Sequence, residues 1–450
     1  MAGNINVREL IVGILLEINK EGQYSHIVLR STLNKYQFLE KKERAFITRV
    51  CEGTQENLLR IDYIINNFSK VKVAKMKPLI RELLRSSVYQ LLYMDHVPDS
   101  AVCNEAVKIA RKKGFYNLTG FVNGVLRSVA RDIRKVKFPE RDQLQEFLSV
   151  TYSMPEWLVE RFLGEFGPEK TEKMLQAFLE EQPVTVRIRK PEAEVEQVLE
   201  SLKREGATLE KAPYVDRAYY LKDYDYLSAL EAFRNGSIQV QDVSSMLAGE
   251  AAAPEKDSYV IDLCAAPGGK SICAADKMEG TGMVDSRDIS EYKTGLIREN
   301  IERMGLKNIK VSVKNAEEFD QESVEKADLL LADLPCSGLG VIGRKTDIKH
   351  KMTQGKIEEL AKLQRSILEQ AASYVKPGGV LLYSTCTVTK EENTDNVEWF
   401  VKHYPYELES IDPMICEELR SETTKKGYLQ LLPGVHPCDG FFMARLRRIK

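Results

Sequence analysis

Two cysteines occupy positions at which a thiol could do chemistry. Cys336 lies in the segment Asp333-Leu-Pro-Cys-Ser-Gly, directly after the mostly apolar run 328–332, and Cys386 follows the run 379–383 in the same way. If both runs are strands of one parallel sheet, a carboxylate and two thiols emerge at its carboxyl edge, where ligands bind. A lone thiol is more often an inert core residue. Two thiols in equivalent positions, one beside Asp-x-Pro, favour a chemical role over that alternative.

The residues after Cys386 predict a helix. Thr389 and Glu392 have the spacing of a capping box, in which the two side chains bond each other's backbone across the first helical turn. A thiol just ahead of a helix N-terminus can have a lowered pKa. The pattern therefore predicts a helix that begins near Thr389 and favours an activated Cys386.

A glycine-rich turn follows another predicted strand. Residues 259–270 read Tyr-Val-Ile-Asp-Leu-Cys-Ala-Ala-Pro-Gly-Gly-Lys, a buried strand running into a turn and then a helix. The two glycines let backbone N–H groups approach an anionic or nucleotide-like ligand at the helix N-terminus. Gly269-Lys-Ser imitates the end of a P-loop, but that motif requires glycine where this chain has Cys264. An NTPase is therefore disfavoured.

An acidic residue stands where a ribose contact is expected. The next predicted strand ends in Val284-Asp-Ser-Arg-Asp, and its last residue, Asp288, lies 19 residues after Gly269. That spacing is close to the one at which a carboxylate accepts hydrogen bonds from ribose hydroxyls. A nucleoside-bearing cofactor fits these residues, and a tight turn with a solvated aspartate remains the alternative.

Helical periodicity dominates the first third of the chain. Between residues 7 and about 132, apolar residues recur at intervals of three and four, which predicts an all-helical bundle. Residues 133–150 are polar and basic and contain Pro139, so a linker is expected there. The segment 154–179 is again predicted to be helical, starting near Pro155.

The pattern changes after Pro183. Alternating apolar residues predict strands at 184–188 and 218–221, and the segment 195–204 between them is helical. We therefore expect a small α+β module between about residues 150 and 235.

Strands and helices alternate beyond Gly236. This alternation predicts a parallel sheet with helices on both faces. The predicted strands include 259–263, 329–332 and 380–383, and the predicted helices include 292–304 and 357–374.

Composition places the chain among ordinary globular proteins. Its 450 residues predict two or three domains, and 43% apolar with 29% charged residues exclude a disordered or fibrous chain. No uncharged apolar run reaches the 18 or so residues of a membrane span, and Arg8 and Glu9 interrupt any signal peptide, so a cytoplasmic protein is expected. The 8 cysteines form no CxxC pair, which argues against a zinc site or a redox dithiol.

The small net charge of −2 hides an asymmetry. Residues 1–150 hold 25 Lys and Arg against 16 Asp and Glu, a balance of +9, whereas the remainder sums to −11. A single basic cluster is usually a solvated helix face, but four clusters together favour contact with a phosphate backbone. The clusters lie at residues 41–44, 70–77, 111–113 and 131–137.

Three of these segments resemble the signature motifs of a known family. Asp262-Leu-Cys-Ala-Ala-Pro-Gly-Gly-Lys, Asp333-Leu-Pro-Cys-Ser-Gly and Tyr383-Ser-Thr-Cys look like those of the RNA cytosine-C5 methyltransferases that use S-adenosylmethionine. Residues 233–245 are similar to the segment that precedes the family's first motif, and residues 432–442 to its closing strand.

The basic helical part completes the resemblance. With His96-Val-Pro-Asp and Asn104-Glu-Ala-Val it resembles a NusB-like RNA-binding domain. The combination is identified as the RsmB (Sun/Fmu) branch, which methylates bacterial small-subunit (16S) ribosomal RNA. It implies a NusB-like all-α domain over residues 1–140, an α+β RNA-binding module over 150–235, and a Rossmann-like α/β methyltransferase domain over 236–450.

The resemblance also implies roles for single residues. The loop Cys264, Ala265, Ala266, Pro267, Gly268, Gly269 and Lys270 would hold the methionine part of S-adenosylmethionine, Asp288 its ribose, and Asp333 the region near the methyl donor. Asn315 stands where the family usually has an acidic residue near adenine, so an amide would make that contact. Met154 and Arg189 depart from a usual histidine and asparagine, which puts details of RNA recognition in doubt.

The two thiols receive different roles by resemblance. Carbon 5 of cytosine is a poor nucleophile, so a thiolate must first add to carbon 6 to make an enamine. Cys386 would be that thiolate and Cys336 would assist release, while Asp333 could bond the N3 and N4 edge of a flipped cytosine. The expected partner is 16S ribosomal RNA, with no metal and no membrane, and no oligomer is implied.

Three competing interpretations remain. The same chemistry on transfer RNA is disfavoured by the NusB-like part. A non-catalytic RNA-binding factor would not need both thiols, Asp333 and the glycine-rich loop. A DNA methyltransferase would place its nucleophile in the Pro-Cys motif and would not need Cys386.

Overall fold

A computed structural model describes residues 5–450, with the exception of the Glu192 side chain. The chain forms two compact units. The first contains the described residues up to Leu179 together with Lys345–Lys351, and the second contains Glu180–Arg344 and Met352–Lys450. Within the described part of the chain, every helix is too short or too polar to cross a membrane.

The first unit is helical, as predicted for residues 7–132. Its helices pack around one core that includes Ile11, Leu15, Ile47, Ile61 and Leu84. Their bounds are α1 Val7–Asn19, α2 Ser25–Lys35, α3 Lys41–Glu56, α4 Leu58–Phe68, α5 Pro78–Tyr93, α6 Asp99–Lys112, α7 Thr119–Asp132, α8 Leu144–Thr151 and α9 Glu156–Ala177.

Two expectations for this unit need correction. The predicted linker is partly helical, because α8 occupies residues 144–151 and buries Leu148 completely. The predicted helix over 154–179 begins at Glu156 and is interrupted at Gly167, whose φ is +75°. The interruption has a local cause, since Pro168 follows and cannot donate a backbone hydrogen bond.

The second unit begins with a small antiparallel sheet of order β2-β3-β1-β4. The apolar face of α10 covers it with Val195, Leu199 and Leu202. The elements are β1 Val184–Ile188, α10 Glu192–Arg204, β2 Thr208–Lys211, β3 Ala218–Lys222, α11 Glu231–Arg234 and β4 Ile238–Val240. Sequence reasoning missed β2 and β4, since β2 is mostly exposed and β4 has only 3 residues.

The larger sheet has the order β10-β12-β9-β8-β5-β6-β7, with β11 paired to β12. Its central strands are parallel, as predicted, and β12 is antiparallel to β9. The elements are α12 Val243–Ala252, β5 Tyr259–Asp262, α13 Gly269–Lys277, β6 Met283–Asp288, α14 Glu291–Met304, β7 Ile309–Val313, β8 Ala327–Asp333, α15 Asp347–Lys351, α16 Gln354–Ala371, β9 Val375–Thr385, α17 Thr394–His403, β10 Tyr406–Leu408, α18 Glu422–Lys426, β11 Tyr428–Leu431 and β12 Phe441–Arg448.

Alternate residues along the strands place apolar side chains on both faces of this sheet. Leu329 and Leu331 of β8 join one core with α12 and α13, whereas Leu330 and Ala332 join another with α16 and α17. Both faces are covered by helices, so these strands are almost continuously apolar and present their polar residues at the ends.

Helix α15 packs in the first unit. Lys349 Nζ donates to the Glu56 carbonyl at 2.7 Å, and His350 bonds the Gln55 carbonyl at 3.0 Å. Burial lowers the pKa of Lys349 to about 7 and that of His350 to about 4. Sequence reasoning did not anticipate that residues 345–351 pack with the helices of the first unit.

Two glycines allow a close backbone approach next to the thiols. Gly340 donates its N–H to the Cys386 carbonyl at 3.1 Å, and Gly440 donates to the Gly340 carbonyl at 2.9 Å. A Cβ atom at Gly340 would lie 2.0 Å from the Gly440 carbonyl oxygen. Both backbones must therefore shift if residue 340 carries a side chain.

The first prediction follows from this approach. Gly340→Ala should lower the free energy of unfolding by about 1–3 kcal/mol, the usual cost of overpacking, as measured by chemical denaturation. Gly355→Ala is the control, because a Cβ there, in α16, meets nothing within 4 Å. Equal stability of the two variants would contradict the prediction.

Candidate active site

The parallel pair β8 and β9 places the predicted catalytic residues together. Asp333 at the end of β8 is in register with Ser384 of β9. The Sγ atoms of Cys336 and Cys386, which follow the two strands, lie 3.3 Å apart. At this distance one thiol can donate a hydrogen bond to the other. The structure thus forms the thiol pair that the strand pattern predicted.

Asp333 is held by neighbours on both oxygens. Its Oδ2 accepts from Lys270 Nζ at 2.6 Å and its Oδ1 accepts from Ser384 Oγ at 2.8 Å. Lys270 also donates to Ser245 Oγ at 3.2 Å. A third of the Asp333 side chain remains exposed, at 32%. The carboxylate is therefore oriented by the protein and still accessible to a ligand.

Lys270 forms an ion pair that the loop motif did not predict. Its side chain extends from the glycine-rich loop to the Asp333 carboxylate and is 10% exposed. The pairing links two motifs that are 63 residues apart in the chain. Sequence reasoning missed this ion pair, because strand order had to be known before the partner of Lys270 could be named.

The electrostatic surroundings of Cys336 favour its protonated form. The hydrogen bond to Cys386, burial, and the negative charge of Glu392 raise the pKa of Cys336 well above its usual range. Cys336 is consequently a neutral thiol at neutral pH, able to donate its proton in a hydrogen bond to the Cys386 sulfur.

The predicted helix after Cys386 is wrong in its starting point. The helix α17 begins at Thr394, and its cap residue Asn393 makes no side-chain capping bond. Thr389 donates to the Glu392 carboxylate at 2.6 Å, but both residues precede the helix. Activation of Cys386 by an adjacent helix N-terminus is therefore not available, and Glu392 instead contacts the Cys336 loop.

The glycine-rich loop is pinned to the end of β6. Ala265 donates its N–H to the Arg287 carbonyl at 2.8 Å, and Ala266 donates to Asp288 Oδ2 at 3.0 Å. Gly268 has a φ of +105° and immediately precedes α13, a backbone conformation that favours glycine. The turn leaves the N-terminus of α13 beside the loop, where a ligand's polar groups can be bound.

Two buried groups support this loop. Asp262, at the end of β5, accepts from Ser271 Oγ at 2.6 Å, and its Oδ1 has no hydrogen-bond partner among the described residues. Burial raises the pKa of Asp262 to about 7. Cys264 is an unreactive thiol, since burial raises its pKa to about 12.

The end of β6 has the chemistry of a nucleoside site. Asp288 Oδ1 accepts from the Ile289 N–H at 2.8 Å and from Lys293 Nζ at 3.0 Å. Ile289 is 57% exposed although it is apolar, and Val313 at the end of the neighbouring strand β7 is 41% exposed. Exposed aliphatic side chains beside a strand-end carboxylate suit a ligand with an apolar ring and a hydroxylated sugar.

Asn315 lies just beyond β7 and is half-buried. Its Nδ2 donates to Glu318 Oε1 at 3.1 Å, and its Oδ1 accepts from the Glu317 N–H at 3.2 Å. The Asn315 amide can form further hydrogen bonds beyond these two, and a contact with adenine would use that remaining donor or acceptor capacity. Sequence reasoning placed Asn315 at this edge but did not identify Ile289. Ile289 could have been found from the sequence, because it is an apolar residue directly after the aspartate that ends the strand.

Two further residues lie apart from the thiols. Met154 is buried in the first unit. Arg189 pairs with Asp276, with Nη2 to Oδ1 at 2.7 Å and Nε to Oδ2 at 2.9 Å. Among residues 5–450, no group of three or more His, Cys, Asp and Glu side chains could hold a metal ion.

The fold and these residues define a class. The class is that of the Rossmann-like methyltransferases. The features that indicate it are a parallel sheet with a glycine-rich turn after its first strand, a carboxylate at the end of the next strand, and an acidic residue with thiols at the adjoining strand ends. The small antiparallel sheet and the helical unit are additions to that class.

Family models match along most of the chain. Residues 250–447 match the model of the 16S rRNA methyltransferase RsmB/F, residues 5–131 match the NusB family, and residues 154–224 match the ferredoxin-like domain of RsmF/B-like methyltransferases. The chain belongs to the RsmB/F family of small-subunit ribosomal RNA methyltransferases.

Relatives match over the full length. A probable ribosomal RNA small subunit methyltransferase B of Bacillus subtilis is 35% identical over 98% of this chain and 99% of its own. A protein with the same designation from Synechocystis is 30% identical over 99% and 100%. The crystal structure of PH0851 has a TM-score of 0.80 at 27% identity, with 98% of this chain and 99% of that one covered.

A second solved structure covers less of the chain. NSun6 from Pyrococcus horikoshii with SFG has a TM-score of 0.58 at 25% identity, over 66% of this chain and 98% of its own. The comparisons confirm the predicted family, the three-part fold class and S-adenosylmethionine as the methyl donor. The exact domain boundaries and the individual site residues stay predictions.

The second prediction tests the nucleoside site. Asp288→Ala should weaken S-adenosylmethionine binding by roughly 1–3 kcal/mol, because it removes hydrogen bonds to a charged acceptor. Isothermal titration calorimetry measures the change. The control is Glu299→Ala, a substitution on the exposed face of α14. Unchanged affinity in the Asp288 variant would refute the ribose assignment.

Proposed function

We propose that this chain transfers a methyl group from S-adenosylmethionine to carbon 5 of a cytosine in 16S ribosomal RNA through a covalent cysteine–cytosine intermediate. The observation that carries the proposal is the pair of thiols 3.3 Å apart beside the ordered carboxylate of Asp333. One thiol suffices to form a covalent bond to a base. A second, neutral thiol next to it has a use only if that bond must also be broken.

The reaction begins with Cys386. Its thiolate adds to carbon 6 of the ring, forming an S–C6 bond and moving electron density to carbon 5. Bound S-adenosylmethionine would supply an electrophilic methyl group to carbon 5, with S-adenosylhomocysteine as the leaving group. The protein's part is to hold the ring against the sulfur, and Asp333 is the residue that can accept a hydrogen bond from the cytosine amino group.

Release reverses the covalent bond. A base takes the proton from carbon 5, the C5–C6 double bond forms again, and the S–C6 bond breaks with its electron pair returning to the Cys386 sulfur. Because the pKa of Cys336 is raised, this residue carries its proton and can donate a hydrogen bond to the departing thiolate. A stabilised leaving group accelerates the elimination. We therefore assign attack to Cys386 and assistance in release to Cys336.

The methyl donor would be held at the edge formed by β5, β6 and β7. The loop from Cys264 to Lys270 would contact its methionine part, Asp288 its ribose and Asn315 its adenine, with Asp333 close to the methyl group. The fit rests on the pinned loop, the strand-end carboxylate and the exposed Ile289 described above.

The RNA substrate is proposed from the relatives and from charge. Both bacterial relatives are designated small-subunit rRNA methyltransferases, and the helical unit that matches the NusB family carries the basic clusters. An enzyme that methylates bacterial ribosomal RNA would act in the cytoplasm. Transfer RNA is the alternative, and deletion of the gene followed by mapping of lost 5-methylcytosine in all stable RNAs decides between them. Loss from transfer RNA alone would overturn the ribosomal assignment.

The third prediction separates the thiols by opposite phenotypes. Cys386→Ala should abolish both methyl transfer and covalent RNA adducts, because no S–C6 bond can form. Cys336→Ala should still attack and methylate but stall before release, so a protein–RNA complex should survive denaturing electrophoresis. Full activity in both variants would exclude the covalent mechanism, and adducts in the Cys386 variant alone would reverse the two roles.

The fourth prediction concerns the helical unit. Lys70, Lys72, Lys75 and Lys77 are exposed, and replacing all four by alanine should flatten the salt dependence of RNA binding by about 0.7–0.9 in log–log slope for each phosphate that is no longer neutralised. Filter binding over a range of salt concentrations measures the slope. A control with the same charge change replaces four exposed lysines of the second unit, Lys256, Lys326, Lys402 and Lys426. Equal slopes for both variants would count against this RNA-binding surface.

A further inference from the structure

A buried carboxylate outside the predicted site lies behind the two thiols. Glu392 is fully buried and follows Cys386 by six residues. Four donors converge on it. Its Oε1 accepts from the Ser337 N–H at 2.8 Å and from Gln364 Nε2 at 3.1 Å, and its Oε2 accepts from Ser337 Oγ and from Thr389 Oγ1 at 2.6 Å. Every bond is one that a carboxylate can accept, and charge makes such bonds stronger than neutral ones.

These bonds fix the chain on both sides of Cys336. Ser337, the next residue, gives both its N–H and its hydroxyl to Glu392. Pro335, the preceding residue, has its carbonyl bonded by Gln364 Nε2 at 2.9 Å, and Gln364 in turn donates to Glu392. Glu392 therefore holds the residue after Cys336 directly, and it orders the residue before Cys336 only through Gln364.

The same network reaches the strand that carries the other thiol. Ser337 Oγ and Thr387 Oγ1 lie 2.7 Å apart. Thr387 directly follows Cys386, just as Ser337 directly follows Cys336. The Glu392 carboxylate therefore joins the residues that succeed each cysteine. This connection and the bond from Gly340 to the Cys386 carbonyl link the two loops whose sulfur atoms lie 3.3 Å apart.

We propose that Glu392 is a positioning residue that holds Cys336 against Cys386 and thereby sets the rate at which the covalent RNA intermediate is released. The inference rests on the proposed covalent function for its effect on RNA, but the effect of Glu392 on Cys336 does not. Glu392 touches neither substrate nor cofactor in this role and acts only through the Cys336 loop.

A glutamine at this position could not replace the carboxylate. The Ser337 N–H and the Gln364 NH2 group can only donate, so they would occupy the single oxygen of the new amide. Its NH2 group would then face the two hydroxyls and require both to act as acceptors. Ser337 would lose its bond to the carboxylate, and the negative charge near Cys336 would disappear.

That charge affects the state of Cys336. The groups that face it are Cys386, the Glu392 carboxylate and the buried Tyr383 phenol, whose own pKa is raised by burial. Glu392 is the negatively charged member of this set, and a neighbouring negative charge disfavours a thiolate. Its removal should therefore make Cys336 easier to ionise, so the pH at which Cys336 loses its proton reports the action of the carboxylate on this thiol separately from its effect on the position of the loop.

The first arm of the test measures release of RNA. In a single-turnover reaction, Glu392→Gln should form the protein–RNA adduct but resolve it about tenfold to a hundredfold more slowly, the factor for losing a hydrogen bond to a charged group. Ser337→Ala removes only the link between Glu392 and the loop, and should slow release in the same direction. Glu398→Gln, an exposed carboxylate on α17, should behave as the unaltered protein.

The second arm needs no RNA. In a Cys386→Ser background, alkylation of Cys336 by iodoacetamide is followed by peptide mass spectrometry as a function of pH. Glu392→Gln should shift the midpoint of labelling downward by about one pH unit, since a nearby charge changes a pKa by that order. Ser337→Ala keeps the carboxylate and should leave the midpoint within a few tenths of a unit of the background.

The outcomes separate the two proposals. If neither Cys336→Ala nor Cys386→Ala forms an adduct, the covalent function fails, and the labelling arm still tests the action of Glu392 on Cys336. If adducts form but Glu392→Gln releases RNA at the normal rate with an unshifted labelling midpoint, the positioning role is overturned. Should Glu392→Gln fail to fold, as judged by its thermal transition, normal release by Ser337→Ala would overturn it and slow release would support it.

Discussion

The parallel pairing of β8 with β9 is the interaction on which the site depends. It sets Asp333 opposite Ser384 and brings the loops after both strands to one edge, so two thiols that are 50 residues apart in the chain meet at 3.3 Å. A slip of one residue in this register would turn the side chains of one strand to the opposite face. Both faces of these strands are buried among apolar residues, so such a slip would misplace core side chains along the whole strand. The energetic cost of that misplacement keeps the strands in register and thereby fixes the positions of Asp333 and the two thiols.

Negative charge is concentrated at this edge of the sheet, and each carboxylate is compensated in its own way. Asp333 faces the Lys270 ammonium, Asp288 faces Lys293 and two backbone N–H groups, and Glu392 is surrounded by four neutral donors. Asp262 has a single hydroxyl for one of its oxygens, which is why burial raises its pKa to about 7. Buried carboxylates cost several kcal/mol unless such partners are supplied. The polar residues around the motifs are therefore needed before any substrate binds.

Sequence reasoning recovered what local pattern encodes. The period of three and four predicted the bundle, and the strand patterns predicted β5, β6, β8 and β9. The positions of Asp288, Asp333, Cys336 and Cys386 at or just after the ends of β6, β8 and β9 followed from those patterns, whereas their contacts with a ligand stay predictions. What failed depended on contacts distant in sequence. Thr389 and Glu392 have a capping spacing, yet Glu392 satisfies Ser337, 55 residues away, and the helix starts later. The short strand β4 and the helix α15 carry too few residues for a periodic signal, and their partners, β1 and the Glu56 carbonyl, decide where they lie.

Helix α15 has a consequence for how the protein is made. The first unit is discontinuous in sequence, since its core helices end before residue 180 and its last segment, Lys345–Lys351, comes more than 160 residues later. During synthesis from the N-terminus, the C-terminal end of α3 and the first residue of α2 must wait for that segment, leaving the Gln55 and Glu56 carbonyls and the Ser25 N–H without their final partners. The helical unit can therefore reach its finished form only after the ribosome has produced the strand that carries Asp333, so a nascent chain completes its NusB-like part and the loop that contains Cys336 at nearly the same moment.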